Sequence, residues 1–153
     1  MDRKIIIAQS KEADIVYEIT QVTINTVYPK YYPHGAVEFF SQHHSMDKII
    51  ADIQKECVYL LVADGRYVGT VTISENHICR LFVLPECQHQ GFGKALMDFA
   101  EEKIFSSFDT IELDASFPAK RIYLKRGYTE IEYNVIDATN GDHLCYDVMR
   151  KIR

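Results

Sequence analysis

Apolar positions in this chain recur first at helical spacing and then, past the first third, mostly in short β-type runs. Lys4 to Ala8 is a β-rich run that predicts a first strand. Over Glu12 to Val27, Ile15, Ile19, Val22 and Thr26 recur at helical spacing. Pro29 and Pro33 end that helix and make Tyr28 to Pro33 irregular. A short helix around Val37 to Gln42 follows. Another opens at Ser45, a good N-cap, with Asp47 in its first turn and Ile49, Ile50 and Ile53 on its inner face.

The period then changes. Val58 to Ala63 is a β run, Asp64-Gly65 a hairpin signal, and Tyr67 to Ile73 the returning strand. Ile78 to Leu84 is a third strand, stopped by Pro85. Phe92, Ala95, Leu96, Phe99, Ala100 and Ile104 form an apolar helical stripe. Thr110 to Leu113 reads as a strand, and Pro118 to Arg126 as a helix that ends with Gly127 at C′. Two last strands flank Asn140-Gly141. This order predicts an α/β fold with a mixed, mostly antiparallel sheet. With no repeat, linker or low-complexity tract, residues 1–153 read as a single domain.

Composition narrows the function classes. The 153 residues are 47% hydrophobic and 25% charged, enough to close one core. A net charge of -5 argues against nucleic acid as a partner, since phosphate backbones favour basic surfaces. No stretch approaches the roughly 20 apolar residues that cross a bilayer, so no membrane association is expected. Ile5-Ile6-Ile7 is too short for the apolar core of an export signal. Cys57, Cys79, Cys87 and Cys145 contain no C-x-x-C pair, and we read them as free thiols of a cytoplasmic protein.

The segment Leu81 to Leu96 carries most of the chemistry. A strand ends at Pro85, a turn follows, and an amphipathic helix begins near Gly91. Free N–H groups at a helix start suit a diphosphate, and glycine there lets the ligand approach the backbone. A glycine-relieved connection that binds nothing has the same local look. Two nucleotide motifs fail: Lys94 is followed by Ala95 rather than the Ser or Thr of a P-loop, and Leu96 stands where a dinucleotide fingerprint needs its third glycine. What fits is Gln88-x-x-Gly91-x-Gly93 after Val83-Leu84-Pro85-Glu86. It resembles the acyl-CoA signature of the GCN5-related N-acetyltransferase (GNAT) family. Downstream, Ala119, Ile122, Tyr123, Gly127 and Tyr128 fall on positions of that family's later signature, with Ser116 in place of its usual asparagine.

The resemblance implies a sheet of six to seven strands flanked by helices, with acetyl-CoA (coenzyme A) as cofactor. It assigns the cofactor to Leu81, Phe82 and Val83, to the turn residues Gln88, His89, Gln90, Gly91, Phe92, Gly93 and Lys94, and to Ser116 and Ala119. In the family, a tyrosine at the place of Tyr123 is taken to protonate the departing thiolate; a tyrosine packed in the core is the other reading. Because a phenol titrates near 10 and a thiol near 8.5, that transfer is uphill by roughly 2 kcal/mol. Lys120, Arg121, Lys125 and Arg126 read as a solvated helix face, from which one cation could meet the ribose phosphate.

An amine acceptor with a pKa of about 10.4 must lose a proton before it attacks. Counting back from Gly91, His77 falls where some family members place a glutamate base, and histidine as a residue type, with an unperturbed pKa of about 6.5, suits the role. Glu75 competes, because a β bulge shifts the register, and a plain surface-turn histidine is equally open. The family builds its acceptor wall over the segment that here holds Tyr28, Tyr31, Tyr32 and His34, with Phe39, Phe40, His43 and His44 beyond. No metal is expected, since adjacent helical residues such as His43 and His44 point about 100° apart and no carboxylate or thiol completes a set. The resulting expectation is an N-acetyltransferase, monomer or homodimer, acting on a small-molecule primary amine by direct attack in a ternary complex. The competing expectation is a non-catalytic acyl-CoA binding or sensing module. An acyl-enzyme would need an activated thiol, and Cys87, beside the turn, is the one to test.

Overall fold

The computed structural model describes Met1 to Arg153. Seven strands, β1 (Arg3–Ile7), β2 (Val58–Ala63), β3 (Arg66–Ser74), β4 (His77–Val83), β5 (Thr110–Ala115), β6 (Thr129–Asp137) and β7 (His143–Ile152), form one sheet in the order β1-β2-β3-β4-β5-β7-β6. Five α-helices accompany it: α1 (Ala13–Val27), α2 (His34–His43), α3 (Met46–Gln54), α4 (Phe92–Phe105) and α5 (Phe117–Lys125). All neighbouring strands are antiparallel except β4 and β5, so the sheet is mixed as the periodicity predicts.

Helices cover both faces of the sheet, and β2 shows why its sequence is unbroken apolar. Val58 and Leu60 enter a core with Val16, Ile24, Ile49 and Ile53, beneath α1 and α3. Tyr59 and Leu61 enter a second core with Leu96, Ala100 and Ile104 of α4. A strand covered on both sides has no polar face to alternate with. The β2–β3 turn has positive φ at both Asp64 (49°) and Gly65 (79°), which matches the twist of the strands it joins.

The inner face of α1 differs from the expected Ile15, Ile19, Val22 and Thr26. Val16, Ile19, Thr20, Thr23 and Ile24 are buried, while Val22 is 39% exposed. The two threonines enter the core because each hydroxyl donates to the carbonyl four residues back, Thr20 to Val16 at 2.8 Å and Thr23 to Ile19 at 2.7 Å. A satisfied hydroxyl buries at little cost, so the apolar count misjudges the face. Ile50 is likewise 37% exposed rather than inward.

The segment after Asp137 is a longer loop than a two-residue hairpin, closed by Ala138 N–H donating to the Asp142 carbonyl at 2.8 Å. Its Asp142 carboxylate accepts the Gly35 N–H at 2.8 Å. A Cβ on Gly35 would collide with the Thr139 carbonyl, so the start of α2 lies directly on this loop.

Candidate active site

The one parallel pairing creates the site. β4 and β5 are in register only at His77–Glu112 and Ile78–Leu113, then diverge. On the other side of β4, the pairing with β3 slips between Thr72–Arg80 and Ile73–Ile78, leaving Cys79 as an extra residue. Such a bulge bends its strand. Past it, the Leu84 N–H donates to the Val68 carbonyl of β3 at 2.9 Å. By alternation, the backbone groups of Leu81 and Val83 face away from β3, over the gap that β5 has left. The Val83 carbonyl there accepts from the Gln88 side chain at 3.0 Å, tying the strand end to the turn that follows.

That turn is built from unusual backbone. His89 has φ 62° and Gly91 φ 84°, both left-handed. For His89 this conformation costs on the order of 1 kcal/mol. The first helical bond of α4 is Ala95 N–H to the Gly91 carbonyl at 3.0 Å, and the N–H groups from His89 to Lys94 have no acceptor within the protein. Gly91 needs glycine for its φ. Gly93 does not, and an added Cβ there would meet only Val83 Cγ2 at an ordinary 3.9 Å. Neither fold strain nor packing explains glycine at position 93; room for something outside the protein does. Arg3, from β1, donates to the Gln90 carbonyl at 3.0 Å and lies over the Phe92 ring, bringing a cation to the turn.

A cleft of about 410 Å³ runs through the gap. Of the residues expected from sequence, it gathers Leu81, Phe82, Val83, Gln88, His89, Gly93, Ser116, Ala119, Tyr123 and Tyr28. Gln90, Gly91 and Lys94 lie on the turn outside the lining, with the Lys94 ammonium 2.7 Å from Asp98. The Phe92 side chain is core rather than surface. His77 is exposed at the junction of β4 and β5, and Glu75 sits in the β3–β4 turn with φ 53°; neither lines the cleft. Tyr31 and His34 point to solvent. Tyr32 is buried, and its hydroxyl accepts the Phe117 N–H at the start of α5 (2.7 Å), with the two rings stacked. Cys87 is buried in the core under α4.

The Tyr123 hydroxyl makes no hydrogen bond within the protein, and burial raises its pKa above the ordinary tyrosine value. Tyr28 also lines the cleft; burial raises it, opposed by a hydrogen bond with Ser116. A strand end with backbone turned to the gap, a helix start with unpaired N–H groups and a free phenol therefore meet in one cleft.

Residues 27–150 match the profile of the acetyltransferase (GNAT) domain. The chain belongs to the GNAT family. It is therefore an acyltransferase. An uncharacterized N-acetyltransferase of Methanocaldococcus jannaschii is 30% identical over 130 residues, which are 79% of this chain and 74% of the relative. Among solved structures, a GCN5-related N-acetyltransferase of Rhodopseudomonas palustris matches with a TM-score of 0.90 at 21% identity, over 100% of this chain and 97% of that one. A PaiA N-acetyltransferase of Thermoplasma acidophilum, solved in complex with coenzyme A, matches with a TM-score of 0.75 at 20% identity, over the whole of both chains. These two likenesses bear on the fold. No helix of the chain is long and apolar enough to cross a membrane.

Two buried polar networks brace this GNAT cleft, and sequence patterns gave no sign of either. Arg80, on β4 directly after the bulge, is buried; it donates to Asp52 of α3 at 3.1 Å, Thr72 of β3 at 2.8 Å and His44 Nδ1 at 3.3 Å. Burial, together with the Arg80 charge, pushes His44 down to about 3, so the imidazole is neutral and can accept. On the opposite face, Glu101 of α4 receives Tyr128 at 2.9 Å, Arg126 at 2.7 Å and Lys151 at 3.3 Å. Burial pulls the Glu101 carboxyl up, but those donors outweigh it and hold the group below its ordinary value. This second network anchors the Gly127-Tyr128 end of α5 to α4. It also engages Arg126, while Lys120 pairs with Asp147 at 2.8 Å, which removes two cations from the expected solvated face. An arginine at alternate spacing in a strand reads as surface, and only strand order and the position of α3 reveal its carboxylate.

Proposed function

We propose that this GNAT enzyme transfers the acetyl group of acetyl-CoA to a primary amine on a small molecule, by direct attack in a ternary complex. The observation that carries the reading is the joint presence, in one cleft, of the diverged β4 edge, the unpaired N–H groups of the turn and the free Tyr123 hydroxyl. The turn takes the diphosphate of the cofactor through His89 to Lys94, with the helix dipole of α4 behind it. The arm that carries the thioester lies along Leu81 and Val83, whose backbone groups can pair with its amides much as a neighbouring strand would.

The ammonium form of the acceptor first gives up a proton to solvent or a base. Its nitrogen then bonds to the thioester carbonyl carbon, the C–S bond breaks, a second proton leaves the nitrogen, and the sulfur departs to be protonated. Tyr123 assists by donating a hydrogen bond to that sulfur. Its raised pKa makes complete proton transfer harder than for an ordinary phenol, so its part is partial stabilisation rather than full acid catalysis. His77, one residue from the cleft-lining Ile78, is the proposed base, and Glu75 in the turn beyond it the alternative. Direct attack is favoured over an acyl-enzyme because Cys87 is inaccessible, while the Cys79 thiol at the cleft is raised by burial, the opposite of an activated nucleophile.

Thiol release from acetyl-CoA, followed across a panel of amines, tests the reading. Turnover with small amines is expected. Tight acetyl-CoA binding without turnover on any amine would overturn it in favour of a sensing module.

A further inference from the structure

Among the residues lining the cleft, only Arg80 and Asp114 carry a full charge at neutral pH. Arg80 is answered by Asp52 at 3.1 Å, so it presents little net charge to a ligand. Asp114 is different. It stands on β5 just past the last residue paired with β4, where the strands have parted, and its carboxylate has no hydrogen bond or ion pair within the protein. The groups whose charges reach it are His77 on β4, His43 on α2, Glu132 on β6 and Glu112 on its own strand. Partial burial raises its carboxyl, and the two histidines pull it back only in part. Tyr146 of β7 is close enough to feel its charge. His43 stacks against Phe39, ring centres 5.8 Å apart. Phe39, Phe40, Ile136 and Leu144 are among the apolar side chains that line the same cleft.

Resting on the acetyltransferase reading above, we propose that Asp114 binds the ammonium group of the acceptor, and that the acceptor is a small monoamine with an apolar or aromatic body. Asp114 is the one unpaired carboxylate that lines the cleft, Glu132 and Glu112 lying outside the lining, so the apolar walls reward one positive charge and offer a second no partner inside the cleft. It also penalises an amino acid, whose own carboxylate would sit beside Asp114 with like charge. Aromatic faces in the same cleft, Tyr146 among them, attract a cation further and cover a hydrocarbon body. The surface position of Asp114 makes Asp114→Asn a variant that keeps its shape and loses only the charge.

The test compares phenethylamine, hexylamine, spermidine, phenylalanine and an alanyl tripeptide at saturating acetyl-CoA, in the wild type, Asp114→Asn and Asp114→Glu. The expected result is the highest kcat/KM for phenethylamine and hexylamine. Asp114→Asn should raise their KM about 10-fold to 100-fold, as loss of a charge-assisted contact does, with the KM for acetyl-CoA unchanged and Asp114→Glu recovering part of the loss. Preference for spermidine, phenylalanine or the peptide would overturn the proposal while leaving amine acetylation standing. So would an unchanged amine KM in an active Asp114→Asn enzyme. No turnover with any member of the panel would overturn both this proposal and the amine reading beneath it.

Discussion

Replacing Asp52 by asparagine should destabilise the protein more than any nearby surface change, although Asp52 lies outside the cleft. The Arg80 side chain is 1% exposed and that of Asp52 17%, with 3.1 Å between them. Breaking a buried ion pair from one side costs about 3–5 kcal/mol, because the other charge is left in a poorly solvated place. Thr72 and neutral His44 still accept from Arg80, and the partly open Asp52 side admits water, so the lower end, about 3 kcal/mol, applies. For a chain of this length each kcal/mol moves Tm by roughly 2–4 °C, which gives a fall of about 6–12 °C. Thermal and urea unfolding of Asp52→Asn, Arg80→Met and the double variant measure it. The double variant should be less destabilised than the sum of the singles, since removing both charges removes the stranded one. A loss below about 1 kcal/mol in Asp52→Asn, with additive singles, would refute the reasoning and mean that water already solvates the guanidinium.

Four further outcomes are expected. His44 has its folded pKa depressed to about 3 from an ordinary 6.5, so the unfolded chain takes up the proton first. Its stability contribution is complete above about pH 6.5 and is lost as pH falls toward 3, roughly 2 kcal/mol by pH 5, and urea midpoints at pH 7 and pH 5 should show that slope flattened in His44→Gln. Gly93→Ala should leave Tm nearly unchanged, because the new methyl meets only Val83 at 3.9 Å, while raising the KM for acetyl-CoA about 10-fold; a drop in Tm without a KM change would assign Gly93 to the fold. Tyr123→Phe should lower kcat about 10-fold without abolishing turnover, less than the 100-fold or more of a full general acid, and wild-type turnover would remove its assisting role. His77→Ala should shift the acidic limb of the pH–rate profile, and an unchanged profile would exclude it as the base.

Much of the fold was legible because its elements announce themselves locally. Ser45 accepts the Lys48 N–H as the N-cap of α3, Asp64-Gly65 turns where expected, and Gly127 ends α5 with φ 91°. The misjudged face of α1 shows the limit: Thr20 and Thr23 count as polar by composition and become core through hydrogen bonds to their own helix. Tyr32 shows it at the site, since nothing in the run of tyrosines tells which hydroxyl is used to hold the start of α5 and which ring faces the cleft.

Sequence by itself determined the segment proposed as the donor side of this enzyme. The strand end, the glycines at 91 and 93 and the helix start are contiguous, so backbone chemistry within a few residues already points to the turn proposed to hold the cofactor's diphosphate. The end of the cleft proposed for the acceptor comes from tertiary structure alone. That end is assembled from α2, β4, β5 and β7, joined only because β5 pairs parallel to β4 for two residues and then leaves it, while β7 inserts between β5 and β6. Asp114 and Arg80 both look like polar positions of half-exposed strands. Both line the cleft, one unpaired and the other neutralised, and the difference lies in whether an opposite charge arrives from a distant element, as Asp52 of α3 does for Arg80 at 3.1 Å.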